Sequence, residues 1–360
     1  MDQNAAMDIL SGASKTPGAR LARLAMGACG ISYSAAVRLR RWAYRRGLLP
    51  SHAAAAPVIS IGNITTGGTG KTPMVAWVAR QLMLMDRRPA IVLRGYKAAG
   101  GRSDEAELLA GLLEGRNEPI PSRPAAEWTV PVIVDPNRVR GAGKAIGQGA
   151  DVIVLDDGFQ HLRLRRDLDI VLIDATNPFG FGYVLPRGLL REPPSALQYA
   201  DAIVITRCDA IPPADLEALR RNLAVLAPAA SIHTAIHAPT HIIDPHGATV
   251  PLEALANRKV LAFCGVGNPE AFFTSLGHLG AVMVDKMAFG DHVHYGPDQM
   301  DSVSRAADRC GAEILVTTQK DRVKLDPAAF TKPLWTLAVE IQFPAGRDEL
   351  MERIRRAMQG

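Results

Sequence analysis

Residues 58 to 73 read Val-Ile-Ser-Ile-Gly-Asn-Ile-Thr-Thr-Gly-Gly-Thr-Gly-Lys-Thr-Pro, and no other stretch constrains the fold as tightly. The order is an apolar run, a glycine-rich loop and the start of a helix, which is what cradling a nucleotide polyphosphate requires. Gly67, Gly68 and Gly70 lack a Cβ, so the backbone can approach phosphates closely and turn through positive φ. The helix that follows offers free N–H groups and the positive end of its dipole. Lys71 is placed to reach the β- and γ-phosphates, and the Thr72 hydroxyl to hold Mg²⁺. The nucleotide-binding candidates are Thr65, Gly67, Gly68, Thr69, Gly70, Lys71 and Thr72. A strict phosphate-loop pattern has glycine where this chain has Thr65. The competing reading is a generic glycine-rich strand–helix turn, and the Gly-Lys-Thr at the junction argues against it.

Strands and helices alternate beyond residue 56. Short apolar runs at Val58–Ile61, Pro89–Leu93, Val130–Val134, Asp151–Leu155, Leu168–Ile173 and Ala202–Thr206 suit strands covered on both faces. Helical patterns fall at 71–85, 104–115, 137–149 and 213–226. The expected fold is α/β: a P-loop NTPase-like, doubly wound, mostly parallel sheet with a second, smaller α/β domain. The expected organisation is a basic amphipathic segment at 1–50, a P-loop core at 51–228 and a linker at 229–250. A smaller domain at 251–334 and a return strand with a final helix at 335–360 complete it. The linker carries His233, His237, His241 and His246, but Pro239 and the strand-like residues between them argue against a helical metal site.

A net charge of +5 favours anionic partners: nucleotides, phosphorylated lipids, acidic membrane surfaces or nucleic acid. The four cysteines form no C-x-x-C pair, which fits a reducing, cytoplasmic setting. No apolar run is long enough to span a bilayer. Residues 18–49 interleave arginines with Leu21, Leu24, Ile31, Leu39, Trp42 and Tyr44, as in a basic amphipathic helix lying on an anionic membrane. A basic helix packed on its own domain has the same pattern. Nucleic-acid binding is not expected, because the basic residues gather there without an aromatic-interleaved RNA motif.

Further motifs lie where parallel strands end. Val152-Ile153-Val154-Leu155 runs into Asp156 and Asp157, acids placed to meet the metal that Thr72 touches. Adjacent aspartates point differently, so one can serve the metal and the other a cation or water. Arg94-Gly95-Tyr96 follows another strand, and Ser103-Asp104-Glu105 opens a helix in an N-capping context. Arg187 and Arg191, with Glu192, sit on a loop suited to phosphate or transition-state charge. Asp291-His292 pairs an acid with an imidazole, and Thr317-Thr318-Gln319-Lys320-Asp321 ends a later strand.

Taken in order, Gly62 to Pro73, Arg94-Gly95-Tyr96, Asp156 to His161, Leu185 to Gly188, Leu190-Arg191-Glu192, Asp291-His292 and Thr317 to Asp321 resemble the tetraacyldisaccharide 4'-kinases. These are the lipid A 4'-kinases of Gram-negative bacteria. The resemblance spans roughly residues 20–345, and Thr65 matches that family's version of the loop. It implies transfer of the γ-phosphate of ATP, with Mg²⁺, to the 4'-hydroxyl of a tetraacyl glucosamine disaccharide 1-phosphate, giving lipid IVA. It also implies a peripheral enzyme on the cytoplasmic face of the inner membrane, with a two-stranded β linker between its domains. By the same resemblance Asp104 is the catalytic base, assisted by His292, with Asp157 and Arg191 also catalytic. Thr72, Asp156, Asp157 and Glu192 are the metal candidates. Ser103-Asp104-Glu105-Ala106 departs from the family's Gly-Asp-Glu-Pro. Base and histidine are expected on different domains, which requires closure around ATP. The other reading is a P-loop ATPase switch acting through protein partners, which has no need of the arginine loop or of Asp291-His292.

Overall fold

In the computed structural model the chain is described over residues 3–95, 103–113, 128–290 and 293–359. Its residues divide into two compact units. The larger holds residues 1–97, 109–236 and 341–360, and the smaller holds 98–108 and 237–340.

The larger unit opens with two helices, α1 (Gln3–Ser11) and the long α2 (Pro17–Arg45). The Thr16 side chain caps α2 by accepting from the Ala19 N–H, and Pro17 opens its first turn, where a missing N–H costs nothing. There follow β1 (Val58–Asn63), α3 (Lys71–Leu84), β2 (Pro89–Leu93), α4 (Asp104–Leu113), β3 (Val132–Val134), α5 (Arg138–Gly147) and β4 (Val152–Asp156). The helix α4 lies across the division between units, its first residues falling in the smaller one. β5 (Leu168–Asp174), β6 (Ala202–Thr206), α6 (Pro213–Leu226) and β7 (Ser231–Ile243) complete the unit's sheet. The ladders that join these seven strands are parallel, in the order β7-β6-β5-β1-β4-β2-β3. β1, β2, β4 and β6 are buried at every position, as a sheet covered on both faces demands.

The chain order reverses at β1, which pairs with β4 on one side and β5 on the other. In open parallel sheets that reversal leaves a crevice at the carboxyl ends of the strands, where ligands bind. Helix α3 packs across β1, β2 and β4, and α5 across β2, β3 and β4. One core layer joins Val58, Val92, Ile153 and Leu155 to Ala142 and Ala145 of α5. The other joins Ile64, Phe159, Ile173, Leu190 and Ile205 to Leu219 and Leu223 of α6. The loops that carry Phe159 and Leu190 are therefore anchored in the core, which fixes the polar residues beside them.

The smaller unit contains β8 (Thr249–Val250), β9 (Lys259–Cys264), α7 (Pro269–His278), β10 (Val282–Ala288), α8 (Pro297–Cys310), β11 (Ile314–Thr318) and α9 (Gln319–Arg322). β9 lies between β10 and β11 in parallel ladders, and β11 pairs in parallel with the start of β12 (Leu334–Ala345). Within β12, at Ile341, the chain re-enters the larger unit, and it ends in α10 (Arg347–Ala357), which packs on β1 and β5. The expected doubly wound, mostly parallel α/β architecture with a second, smaller α/β unit is what forms.

Candidate active site

The phosphate loop forms between the end of β1 and the start of α3. Gly67 and Gly70 take φ of 112° and 87°, values that glycine adopts without strain. Three neighbours hold the loop's shape. The Asn63 amide donates to the Thr69 hydroxyl at 2.9 Å. The Thr206 hydroxyl, at the end of β6, donates to the Thr69 carbonyl at 3.0 Å. Arg207 donates to the Gly68 carbonyl at 2.9 Å and is held by an ion pair with Asp174.

Asn63 is fully buried and is the hub of the charged cluster. Its side-chain oxygen accepts from Lys71 Nζ at 3.3 Å and from the Arg191 guanidinium. Its carbonyl accepts from the Gln160 amide at 2.8 Å. Arg191 also grips Asp157 with both arms, at 2.7 and 2.8 Å, and Lys71 lies 3.6 Å from the same carboxylate. Two cations thus share one acid, beside a glycine-rich loop and the helix N-terminus that follows it, a setting that favours an anion. Partial burial works against ionisation of Asp157. Hydrogen bonds from Arg191 and the charge of Lys71 outweigh it and hold this carboxyl well below the usual carboxylate range.

Asp156 is the last residue of β4, buried, in register with Ile61 of β1. Asp157 takes φ of 53°, left-handed backbone that only a compensating environment sustains in a non-glycine residue. That turn separates two adjacent carboxylates, and the bidentate Arg191 grip is the compensation. Arg191 is itself tied to the phosphate loop by backbone: its N–H donates to the Ile64 carbonyl at 2.7 Å, and the Thr66 N–H to the Leu189 carbonyl at 2.7 Å. The half-buried Thr72 lies in the first turn of α3. A hydroxyl and carboxylates are the hard oxygen donors Mg²⁺ selects, and that ion completes its shell with waters and phosphate oxygens. Thr72 and Asp156 fit it, whereas both oxygens of Asp157, expected to share the metal, are already held by Arg191 with Lys71 beside them.

Glu192 does not fit the metal role expected of it. Both its oxygens accept from Arg41 of α2, at 2.8, 2.9 and 3.1 Å, in an ion pair that is buried on both sides. A carboxylate so occupied is taken out of the metal's donor set. Arg41 also donates to the Phe159 carbonyl at 3.3 Å and stacks over the rings of Phe159 and Tyr199. The Tyr33 hydroxyl donates to the Arg191 carbonyl at 2.9 Å, and Arg40 to the Gln160 carbonyl at 3.1 Å. Helix α2 therefore clamps the two loops that present Asp157 and Arg191. Sequence reading missed Asn63, Gln160, Thr206, Arg207 and Arg41 as individual actors. The first two stood inside quoted motifs, and position at a strand's carboxyl end was the signal that could have marked Asn63 and Thr206.

Asp104 opens α4 with an exposed side chain. The Ser103 carbonyl accepts from the N–H groups of Ala106 and Glu107, but its buried hydroxyl has no hydrogen-bond partner among the described residues, so the cap there is backbone only. Asp104 falls in the smaller unit, not with the phosphate loop, which corrects the expectation that it comes from the kinase core. His292 and Asp291 lie outside the described residues.

The model of the tetraacyldisaccharide-1-P 4'-kinase family matches residues 22–359. A tetraacyldisaccharide 4'-kinase of Geobacter metallireducens is 40% identical over 320 residues, which is 86% of this chain and 90% of that protein. One from Anaeromyxobacter dehalogenans is 44% identical over 307 residues, 82% of this chain and 79% of its own. A crystal structure of LpxK from Aquifex aeolicus in complex with ATP superposes with a TM-score of 0.70 at 26% identity, covering 93% of this chain and 99% of that one. The ATPase-switch reading finds no support among them. With a phosphate loop, an acid pair and an arginine loop converging at the sheet's switch point, and matches that run almost end to end, this chain belongs to the tetraacyldisaccharide-1-P 4'-kinase family.

Proposed function

We infer that this chain transfers the γ-phosphate of ATP to the 4'-hydroxyl of a tetraacyl glucosamine disaccharide 1-phosphate, yielding lipid IVA. One observation carries the residue assignment: Asn63, Lys71, Asp157 and Arg191 form a single hydrogen-bonded cluster against the phosphate loop. Phosphoryl transfer requires little covalent help from a protein. It requires an in-line approach and compensation of the charge on the transferring group. The loop N–H groups and Lys71 bind the β- and γ-phosphates. Arg191, held by Asp157 and Asn63, directs its guanidinium at the charge that develops on the γ-phosphoryl oxygens. Thr72 and Asp156 would hold Mg²⁺, whose charge would offset that of the phosphates.

The sugar oxygen forms the new P–O bond as the bond between the γ-phosphorus and the bridging oxygen breaks, and ADP leaves with the electron pair. Asp104 accepts the hydroxyl proton, with His292 supporting the carboxylate, in keeping with the resemblance that named both.

We also read the protein as peripheral to an anionic membrane, at the cytoplasmic face of the inner membrane. No helix among the described residues is long and apolar enough to cross one. Leu21, Leu24, Ile31 and Leu39 of α2 are 63–74% exposed along one stripe, with Trp42 at 48%, flanked by Arg20, Arg38, Arg45 and Arg46. Such a face lies in a bilayer interface. The decisive assay is transfer of ³²P from ATP to the disaccharide 1-phosphate in detergent. Label released only to water overturns the assignment.

A further inference from the structure

The C-terminal half of α2 and the 3₁₀ segment Pro194–Tyr199 enclose a cleft of about 490 Å³ within the larger unit. Arg38, Arg41, Arg45 and Arg46 line it, together with Trp42 and Tyr199. The acid in its wall is Glu192, and Arg41 already neutralises that charge. Arg38, Arg45 and Arg46 make no ion pair among the described residues. Arg45 lies over the Tyr199 ring at 4.7 Å and Arg46 over Trp42 at 5.9 Å. Stacking of this kind orients a guanidinium plane while leaving its N–H edge open to an anion. Ser195 and Gln198 add neutral donors to the same wall.

The cleft's place on the helix gives its ligand a character. At 100° per residue, Arg38 and Arg45 stand on the flank of the exposed stripe of Leu24, Ile31 and Trp42. Trp42 belongs to both the stripe and the cleft. An amphiphile whose acyl part lies along the stripe brings its phosphate to the arginines. We propose that this cleft is a binding site for the phosphate of a membrane lipid. Two sources share that chemistry, the 1-phosphate of the substrate and the headgroup of a surrounding anionic phospholipid. The first rests on the kinase reading above, the second does not.

The test compares wild type with Arg38→Gln/Arg45→Gln and with Arg305→Gln/Arg309→Gln on α8, which removes the same charge from exposed positions outside the cleft and outside α2. One arm measures sedimentation with phosphatidylcholine vesicles, with and without phosphatidylglycerol. The other measures KM in detergent for the disaccharide 1-phosphate and for the same disaccharide without its 1-phosphate. Two arginines at a typical surface attraction are worth roughly 30-fold. That loss in vesicle binding, specific to the cleft variant, assigns the site to the headgroup. That rise in KM, seen only with the 1-phosphate, assigns it to the substrate. Neither change, or an equal loss in the Arg305/Arg309 control, overturns the site. A wild type that phosphorylates neither disaccharide defeats the kinase reading instead, and the vesicle arm still decides the cleft. If the double variant fails to fold, the single exposed Arg38→Gln gives the same decision at about 5-fold.

Discussion

Replacing Arg41 by alanine strands the Glu192 carboxylate, 2% exposed, without the guanidinium that compensates it at 2.8 Å. Breaking a buried pair from one side costs about 3–5 kcal/mol, far above the ~0–1 kcal/mol of an exposed pair. The rings of Phe159 and Tyr199, 4.7 and 4.9 Å from the guanidinium carbon, lose a cation as well. For a unit of this size each kcal/mol moves the melting temperature by roughly 2–4 °C, so a fall of about 6–20 °C is expected. Scanning calorimetry reads it directly. Arg41→Met/Glu192→Met should regain most of the stability, since apolar groups of similar volume replace buried pairs at little cost. Its kcat should stay low, because the two loops have lost the Arg41 part of their tie to α2, with the Tyr33 and Arg40 bonds remaining. Glu192→Gln, in turn, should leave the Mg²⁺ concentration for half-maximal rate unchanged. A melting point for Arg41→Ala within about 2 °C of wild type refutes the reasoning, for the pair would then behave as a solvated one.

Asp104→Ala should leave ATP binding intact and cut turnover by about 10²-fold or more, and near-normal turnover removes Asp104 from the base role. Gly62→Ala should destabilise the larger unit or abolish its expression as soluble protein, because a Cβ there meets Phe159 Cβ at 2.6 Å and the Phe159 backbone N at 2.8 Å. A melting curve that overlays wild type contradicts that contact. Burial, then the charges of Arg138, Arg166, Arg40 and Arg163, push the His161 imidazolium down to about 4. The folded state thus favours the neutral ring. Its contribution is full above the ordinary value of about 6.5 and is lost as pH falls from there toward 4. An NMR titration of His161 with its midpoint above about 6 removes the effect.

Much of the fold was legible because its signals are short-range. The apolar runs of β1 and β4 and the Gly-Lys-Thr junction each lie within a few residues, so periodicity and turn chemistry exposed them. Strand ends shifted by a residue or two: the run expected at 151–155 forms at Val152–Asp156, bringing Asp156 into the strand. The Glu192 role was misjudged because its partner stands 151 residues away in the chain. No spacing rule reaches across that distance.

The sequence by itself determined that a polyphosphate loop would follow a buried parallel strand, and the order of its motifs determined the family. Only the tertiary structure decided how the charges are divided. It committed Glu192 to Arg41, gave Asp157 to Lys71 and Arg191, and made Asn63 the group that joins the two cations. It also put Asp104 in the smaller unit. The physical reason is that Coulomb energy depends on separation in space and on burial, and neither is written in the chain until the sheet has brought its loops together.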